Sequence, residues 1–220
     1  MKKKIKGTIN RLFGNQLLKV IETDNSFSYQ EINLDIPVGV FHPKYFTSSK
    51  LLMNFMEEEQ MQKKIILELG CGSAITSFIA HRNGGIVTSS DISEVAISNL
   101  RTNQEKNNVN FEAICSNLFD SIPDKLFDYI LINPPYYPKN PTNEKEHAWY
   151  CGESFDYFKK LFKQLSERKI QQGIFMTLSN DCELDKIKEI AAQYSYFFKE
   201  IKADKNLAEI NYLFEVVQER

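Results

Sequence analysis

The chain comprises 220 residues, 42% of them apolar and 25% charged, with a formal net charge of −2. That size and apolar share suit one medium α/β domain, and a charge so close to balance carries no signal for a nucleic-acid partner. No apolar stretch approaches the ~20 residues that cross a bilayer, no signal-peptide pattern opens the chain, and Cys71, Cys115, Cys151 and Cys182 lack the paired spacing of a zinc site. A cytoplasmic protein with no metal and no membrane contact is the expectation. Lys2, Lys3, Lys4 and Lys6, and later Lys199, Lys202 and Lys205, read as solvated surface. A tail docking an acidic partner is the second reading.

In the first 60 residues, Ile9, Leu12, Phe13, Leu17 and Ile21 predict an amphipathic helix weakened by Gly14. Residues 29–36 alternate like a strand, with His42 beyond them read as partly exposed. Residues 47–58 read as a helix with Leu51, Leu52, Phe55 and Met56 turned inward. From about residue 63, strand-length apolar runs alternate with helical stretches. Strands are predicted at 65–69, 86–90, 109–114, 127–132 and 174–178, with helices at 75–81, after a Ser93 cap, at 153–169 and at 184–194. The last two strands, 196–201 and 210–217, leave no room for a crossover helix and should pair antiparallel at one edge. The result is an α/β fold, a Rossmann-like, doubly wound, seven-stranded and mostly parallel sheet with a terminal antiparallel hairpin.

Two strand ends carry chemistry. The first delivers Glu68-Leu69-Gly70-Cys71-Gly72-Ser73-Ala74, and Asp91 follows about 20 residues on, at the end of the second strand. Glycines let the chain turn sharply and bring bare backbone against a ligand, while an acidic residue at that distance accepts the hydrogens of a ribose diol. A nicotinamide dinucleotide fits poorly, because Ile75 stands where the third glycine belongs and Glu68 would face the pyrophosphate. S-adenosyl-L-methionine fits better, since Glu68 can meet its ammonium directly or through water.

The fourth strand ends in Asn133-Pro134-Pro135-Tyr136. Proline cannot continue a ladder, and two in succession stiffen the turn. The Asn133 amide and nearby carbonyls are then rigid acceptors beside the flat face of Tyr136. This is a clamp for a planar group bearing an NH2. In an open α/β sheet, ligands lie at the carboxyl ends of strands near the switch in strand order, so both strand ends should border one crevice. A methyl donor and an amine clamp in one crevice define N-methylation.

On these residues the chain resembles the class I S-adenosylmethionine-dependent N-methyltransferases whose fourth strand ends in Asn-Pro-Pro-Tyr, most closely the HemK-type release-factor glutamine methyltransferases. The likeness runs over residues 38 to 178. Val40-Phe41-His42-Pro43 through Thr47-Ser48-Ser49-Lys50-Leu51-Leu52 is similar to the segment lying over the cofactor, which makes residues 1–60 an N-terminal extension with a covering helix ahead of a catalytic domain at 61–220. Asp91-Ile92-Ser93 is similar to the ribose corner and Ser116-Asn117-Leu118-Phe119 to the adenine corner. Ala148-Trp149-Tyr150-Cys151-Gly152 looks like the segment that follows the tetrapeptide in short relatives. The resemblance implies cofactor contacts from Thr47, Glu68, Gly70, Cys71, Gly72, Asp91, Ile92, Asn117, Leu118 and Asn133, and catalysis by Asn133, Pro134, Pro135 and Tyr136. The chain departs from the family in having Asn117 for the usual Asp, Ala74 for a common glycine and only Gly152 of two glycines. Its first segment is also similar to the small methyltransferases that modify ribosomal RNA bases.

The expected acceptor is a protein glutamine, in a translation factor or ribosomal protein. The alternative is N6-adenine or another base of tRNA, rRNA or DNA, because glutamine and adenine present the same amide-like edge. A small-molecule acceptor comes third, and a scaffold that binds cofactor without catalysis stands behind them. Tyr137 and Pro138 read as loop structure, and His147 and Trp149 as candidates for the substrate mouth.

Overall fold

A computed structural model describes residues 25–171, 173–205 and 209–219. The helix predicted around Ile9 to Ile21 and the lysines at 2, 3, 4 and 6 lie outside the described residues. A seven-stranded sheet runs in the order Glu112–Cys115, Ile86–Asp91, Ile65–Leu69, Tyr129–Ile132, Ile174–Ser179, Ile210–Gln218, Tyr196–Lys205. Its parallel members are β3 (Ile65–Leu69), β4 (Ile86–Asp91), β5 (Glu112–Cys115), β6 (Tyr129–Ile132) and β7 (Ile174–Ser179). The strands β8 (Tyr196–Lys205) and β9 (Ile210–Gln218) form the terminal antiparallel hairpin, with β9 placed between β7 and β8. Strand order reverses between β3 and β6, where the sequence pattern puts the crevice.

The middle strands are buried on both faces, so they read as unbroken apolar runs. On one face lie the hairpin β1 (Ser26–Tyr29) and β2 (Ile32–Asp35) with helices α1 (Thr47–Glu58), α2 (Ile75–Arg82) and α3 (Glu94–Lys106). On the other lie α4 (Asp156–Glu167) and α5 (Leu184–Ala192). Spacing explains the second layer. Phe158, Leu161, Phe162 and Leu165 recur at helical intervals and reach 0% exposure, each burial stabilising by roughly 1.5–3 kcal/mol. In the first layer, Phe55 of α1 packs against Phe175 with ring centres 4.5 Å apart, which fixes α1 over β7. The side chain of Ser93 accepts from the Ala96 N–H at 3.3 Å and caps α3 as predicted.

Several boundaries differ from the sequence reading. The single strand expected at 29–36 is a hairpin, because Gln30 turns the chain at φ 51° and pairs Tyr29 with Ile32. Strand β5 starts at Glu112 instead of Val109, since Asn108 at φ 52° and the Val109 N–H to Gln104 C=O bond close the end of α3 first. Strand β6 starts at Tyr129, after the Asp128 carboxylate has accepted from the Ile65 N–H at 2.8 Å. Helix α4 begins at Asp156, following Phe155 at φ 59°, and ends two residues before Lys169 at φ 55°. Helix α5 stops at Ala192, and Ser195 at φ 64° leads into a β8 that runs on to Lys205. His42 is fully buried rather than partly exposed: its Nδ1 accepts from the Lys44 N–H at 3.3 Å, and Tyr45 packs 4.9 Å away.

Candidate active site

The floor is the turn after β3. Gly70 has φ +72°, and an added Cβ there would meet nothing within 4 Å, so its backbone faces open space. The Gly70 and Cys71 N–H groups both donate to the Ser90 carbonyl, at 2.8 and 2.9 Å, tying the turn to the end of β4. Asp91 then clasps two chain segments: Oδ2 accepts from the Gly72 N–H and Oδ1 from the Ser93 N–H, each at 2.9 Å. Each oxygen keeps a further lone pair for a ligand. Burial pushes the Asp91 carboxyl up, while these backbone bonds pull it back.

Glu68 sits behind the turn. Its Oε2 accepts from both the N–H and the hydroxyl of Ser77 in the first turn of α2, and Ser89 in turn donates to the Ser77 hydroxyl at 2.6 Å. Burial pushes Glu68 up to about 7, against the lowering by Ser77 and Thr76. An acid beside a helix N-terminus is favourable, and here it holds α2 against β3 while facing the cavity.

At the other end, Asn133 leaves β6 with its Oδ1 accepting from the Thr177 hydroxyl at 2.8 Å. Pro134 is buried, and Tyr136 lies against Tyr137 with ring centres 4.8 Å apart. Burial, with Tyr137 and Glu209 nearby, raises the Tyr136 hydroxyl well above its ordinary value, so the ring is neutral at every working pH. The segment after β5 turns at Leu118, φ 56°, and Ser116 holds that turn by donating to the Leu118 carbonyl at 2.8 Å.

Two separate segments meet overhead. Phe41 stacks on Phe46 at 4.3 Å, and Trp149 packs on both rings at 5.3 and 5.2 Å. An added Cβ on Gly72 would stand 3.4 Å from the Cβ of Phe41, which sets how closely this roof approaches the glycine turn. The loop carrying Trp149 is closed by Tyr137 N–H to Trp149 C=O (3.1 Å), Cys151 N–H to Tyr137 C=O (2.9 Å) and Gly152 N–H to Lys139 C=O (3.1 Å).

These walls enclose a cavity of about 380 Å3. Lining it are Glu68, Gly70, Cys71, Gly72, Asp91, Ile92, Asn117, Leu118, Asn133, Pro134, Pro135 and Tyr136, so the two strand ends share one crevice. His147 and Trp149 also line it. Thr47 does not; Ser48 and Ser49, further along α1, take that wall. Asp156 and Tyr157 at the start of α4 line the cavity without any motif to announce them. Nothing in the sequence marks Thr177 either, an ordinary strand residue until its neighbour is known. Among the described residues no group of three or more His, Cys, Asp or Glu is placed to hold a metal ion, and no helix is long and apolar enough to cross a membrane.

The family described as Methyltransferase small domain matches residues 31–149. The release factor glutamine methyltransferase of Lactococcus lactis subsp. lactis (strain IL1403) is 31% identical over 121 residues, covering 54% of this chain and 44% of that protein. The chain thus spans about half the length of the curated relatives it matches. Among solved structures, the E. cuniculi Mtq2–Trm112 complex responsible for methylation of the eRF1 translation termination factor aligns with TM-score 0.63 at 18% identity, over 82% of this chain and 99% of that one. The T. thermophilus 16S rRNA N2 methyltransferase RsmC, in complex with AdoMet and guanosine, aligns with TM-score 0.65 at 16% identity, over 88% of this chain and 50% of that one. At these identities the structural likenesses establish the fold.

Proposed function

Since the chain belongs to the methyltransferase small domain family, we propose that it transfers a methyl group from S-adenosyl-L-methionine to a planar nitrogen, the side-chain amide of a protein glutamine. The observation that carries this reading is that Asp91 and Glu68 line the same cavity as Asn133 to Tyr136. The donor set fits the cofactor. Asp91 retains acceptor capacity for a ribose diol, Glu68 offers a carboxylate to an ammonium, and Gly70 leaves room for a ligand against bare backbone. Bound there, S-adenosylmethionine supplies an electrophilic methyl on a sulfonium.

The protein's own contribution is placement. An amide nitrogen is a weak nucleophile because its lone pair is delocalised. Asn133 Oδ1 and the Pro134 carbonyl accept its two hydrogens, and Tyr136 holds its plane, so the lone pair is turned toward the methyl. Alignment of this kind supplies roughly 7–11 kcal/mol of a barrier in favourable cases. Positive charge gathering on the nitrogen meets dipoles that are already oriented. The cofactor would supply the methyl group, and the nitrogen would give up one of its two protons to solvent after transfer, so the site needs no strong base.

Asn133→Ala should lower transfer by about 100-fold or more and leave S-adenosylhomocysteine affinity within about twofold by calorimetry. Unchanged transfer would remove Asn133 from the chemistry. The glutamine acceptor draws on the L. lactis relative, while a nucleic-acid base draws on the likeness to the rRNA enzyme. Labelled cofactor in cell extract separates them: the label should vanish with protease and survive nuclease. The reverse pattern assigns a base.

A further inference from the structure

We propose that Thr177 is a positioning residue for Asn133, holding its amide so that one Oδ1 lone pair stays turned to the cavity. The inference rests on the N-methylation reading of that cavity. Thr177 is on β7, next to β6, and the pairing of Ile132 with Met176 brings the following residues, Asn133 and Thr177, side by side. The hydroxyl of Thr177 donates to Asn133 Oδ1 at 2.8 Å.

Three features make this contact more than a buried hydroxyl finding an acceptor. Thr177 has 0% exposure, does not line the cavity, and is paired on its far side with Leu213, itself at 0%. Its β-branched χ1 is stiff, and beside it on β7 Leu178 is fully buried while Phe175 packs against the core. The donor is therefore fixed by the sheet while its acceptor faces the ligand space. Asn133 has only two side-chain torsions and comes from the last position before two prolines, so a second point of attachment is what sets its plane. An amide oxygen has two acceptor sites. One is taken by Thr177, and the other remains for an N–H of the methyl acceptor.

Two variants separate the hydroxyl from the methyl of Thr177. T177V keeps the branched shape and removes the donor, whereas T177S keeps the donor and trims a methyl. With labelled S-adenosylmethionine and saturating cell-extract protein, T177V should transfer about 10- to 100-fold more slowly, the scale of a small misplacement of a reacting group. Its S-adenosylhomocysteine affinity should stay within about twofold, and T177S should recover most of the rate. Side-chain amide NMR should show the Asn133 NH2 ordered in the wild type and T177S and mobile in T177V. Wild-type transfer and an ordered Asn133 amide in T177V would overturn the proposal. If the wild type transfers nothing to any fraction of the extract, the N-methylation reading fails on its own, and the amide order in T177V alone decides whether Thr177 holds Asn133.

Discussion

Glu68 is the residue with the most unusual position, a carboxylic acid buried between the glycine turn and Ser77 yet open to the cavity. Its folded-state value of about 7 stands above the ordinary 4.5. Between those values the folded protein keeps a proton that the unfolded chain has already released. The stability this contributes is complete below about pH 4.5 and is lost as pH rises to about 7, a swing of about 3 kcal/mol. Urea unfolding across that window should show the decline in wild type and a flatter profile in Glu68→Gln, where no proton is at stake. Equal slopes in the two proteins would show that another group is responsible. A bound ammonium favours the ionised acid, so S-adenosylhomocysteine should bind with proton release near neutral pH, seen as a buffer-dependent heat.

Residues of this kind mark where sequence reading stops. Asn133, Pro134, Gly70 and Gly72 were legible because prolines and glycines constrain the chain locally. Thr177 was not, because its role is made by a partner 44 positions away on a neighbouring strand. Thr47, the first residue of α1, does not line the cavity, whereas Ser48 and Ser49 do.

At the scale of elements, the types of nearly all segments were readable and their ends were not. Helix and strand termini are usually sought at glycine or proline. Here Gln30, Asn108, Phe155, Lys169 and Ser195 take the left-handed conformation that glycine would be expected to fill. Phe155 adopts it because its side chain is anchored in the core at 7% exposure, so burial outweighs backbone preference. Among the described α-helices, the one N-cap whose side chain makes the capping hydrogen bond is Ser93 on α3. Ser93→Ala should cost about 1 kcal/mol of unfolding free energy in chemical denaturation. Because the Ser93 N–H also holds Asp91 Oδ1, and alanine keeps that N–H, cofactor affinity should change little. A large loss of affinity would mean that the cap also sets the position of Asp91.

For the molecule as a whole, alternation of apolar runs and helical stripes was enough to give the doubly wound sheet and its antiparallel edge. What it left open was the order of the last strands. A hairpin read along the chain adds first one strand and then the next, yet β9 lies inside β8, hydrogen-bonded to β7 on one side and β8 on the other. It also carries the fully buried Leu213 and Val216 into both layers of the core. Ending the chain at residue 205 should therefore unmake more than an edge. Strand β7 would lose its ladder along six residue pairs, and two unsatisfied edges would invite association. The truncated protein should be recovered in aggregates or lack a cooperative thermal transition, and a soluble monomer melting sharply would contradict this.

That placement has a consequence for the order of assembly. The strand that locks Thr177 against Asn133 from behind follows β8 in the chain yet separates it from β7 in the sheet, so neither the central platform nor its amide clamp can be finished before β9 has inserted. Until β9 arrives, β7 and β8 wait with their backbones open. The glycine turn is tied to Ser90, earlier in the chain, so its closure does not wait for β9 and that of the clamp does.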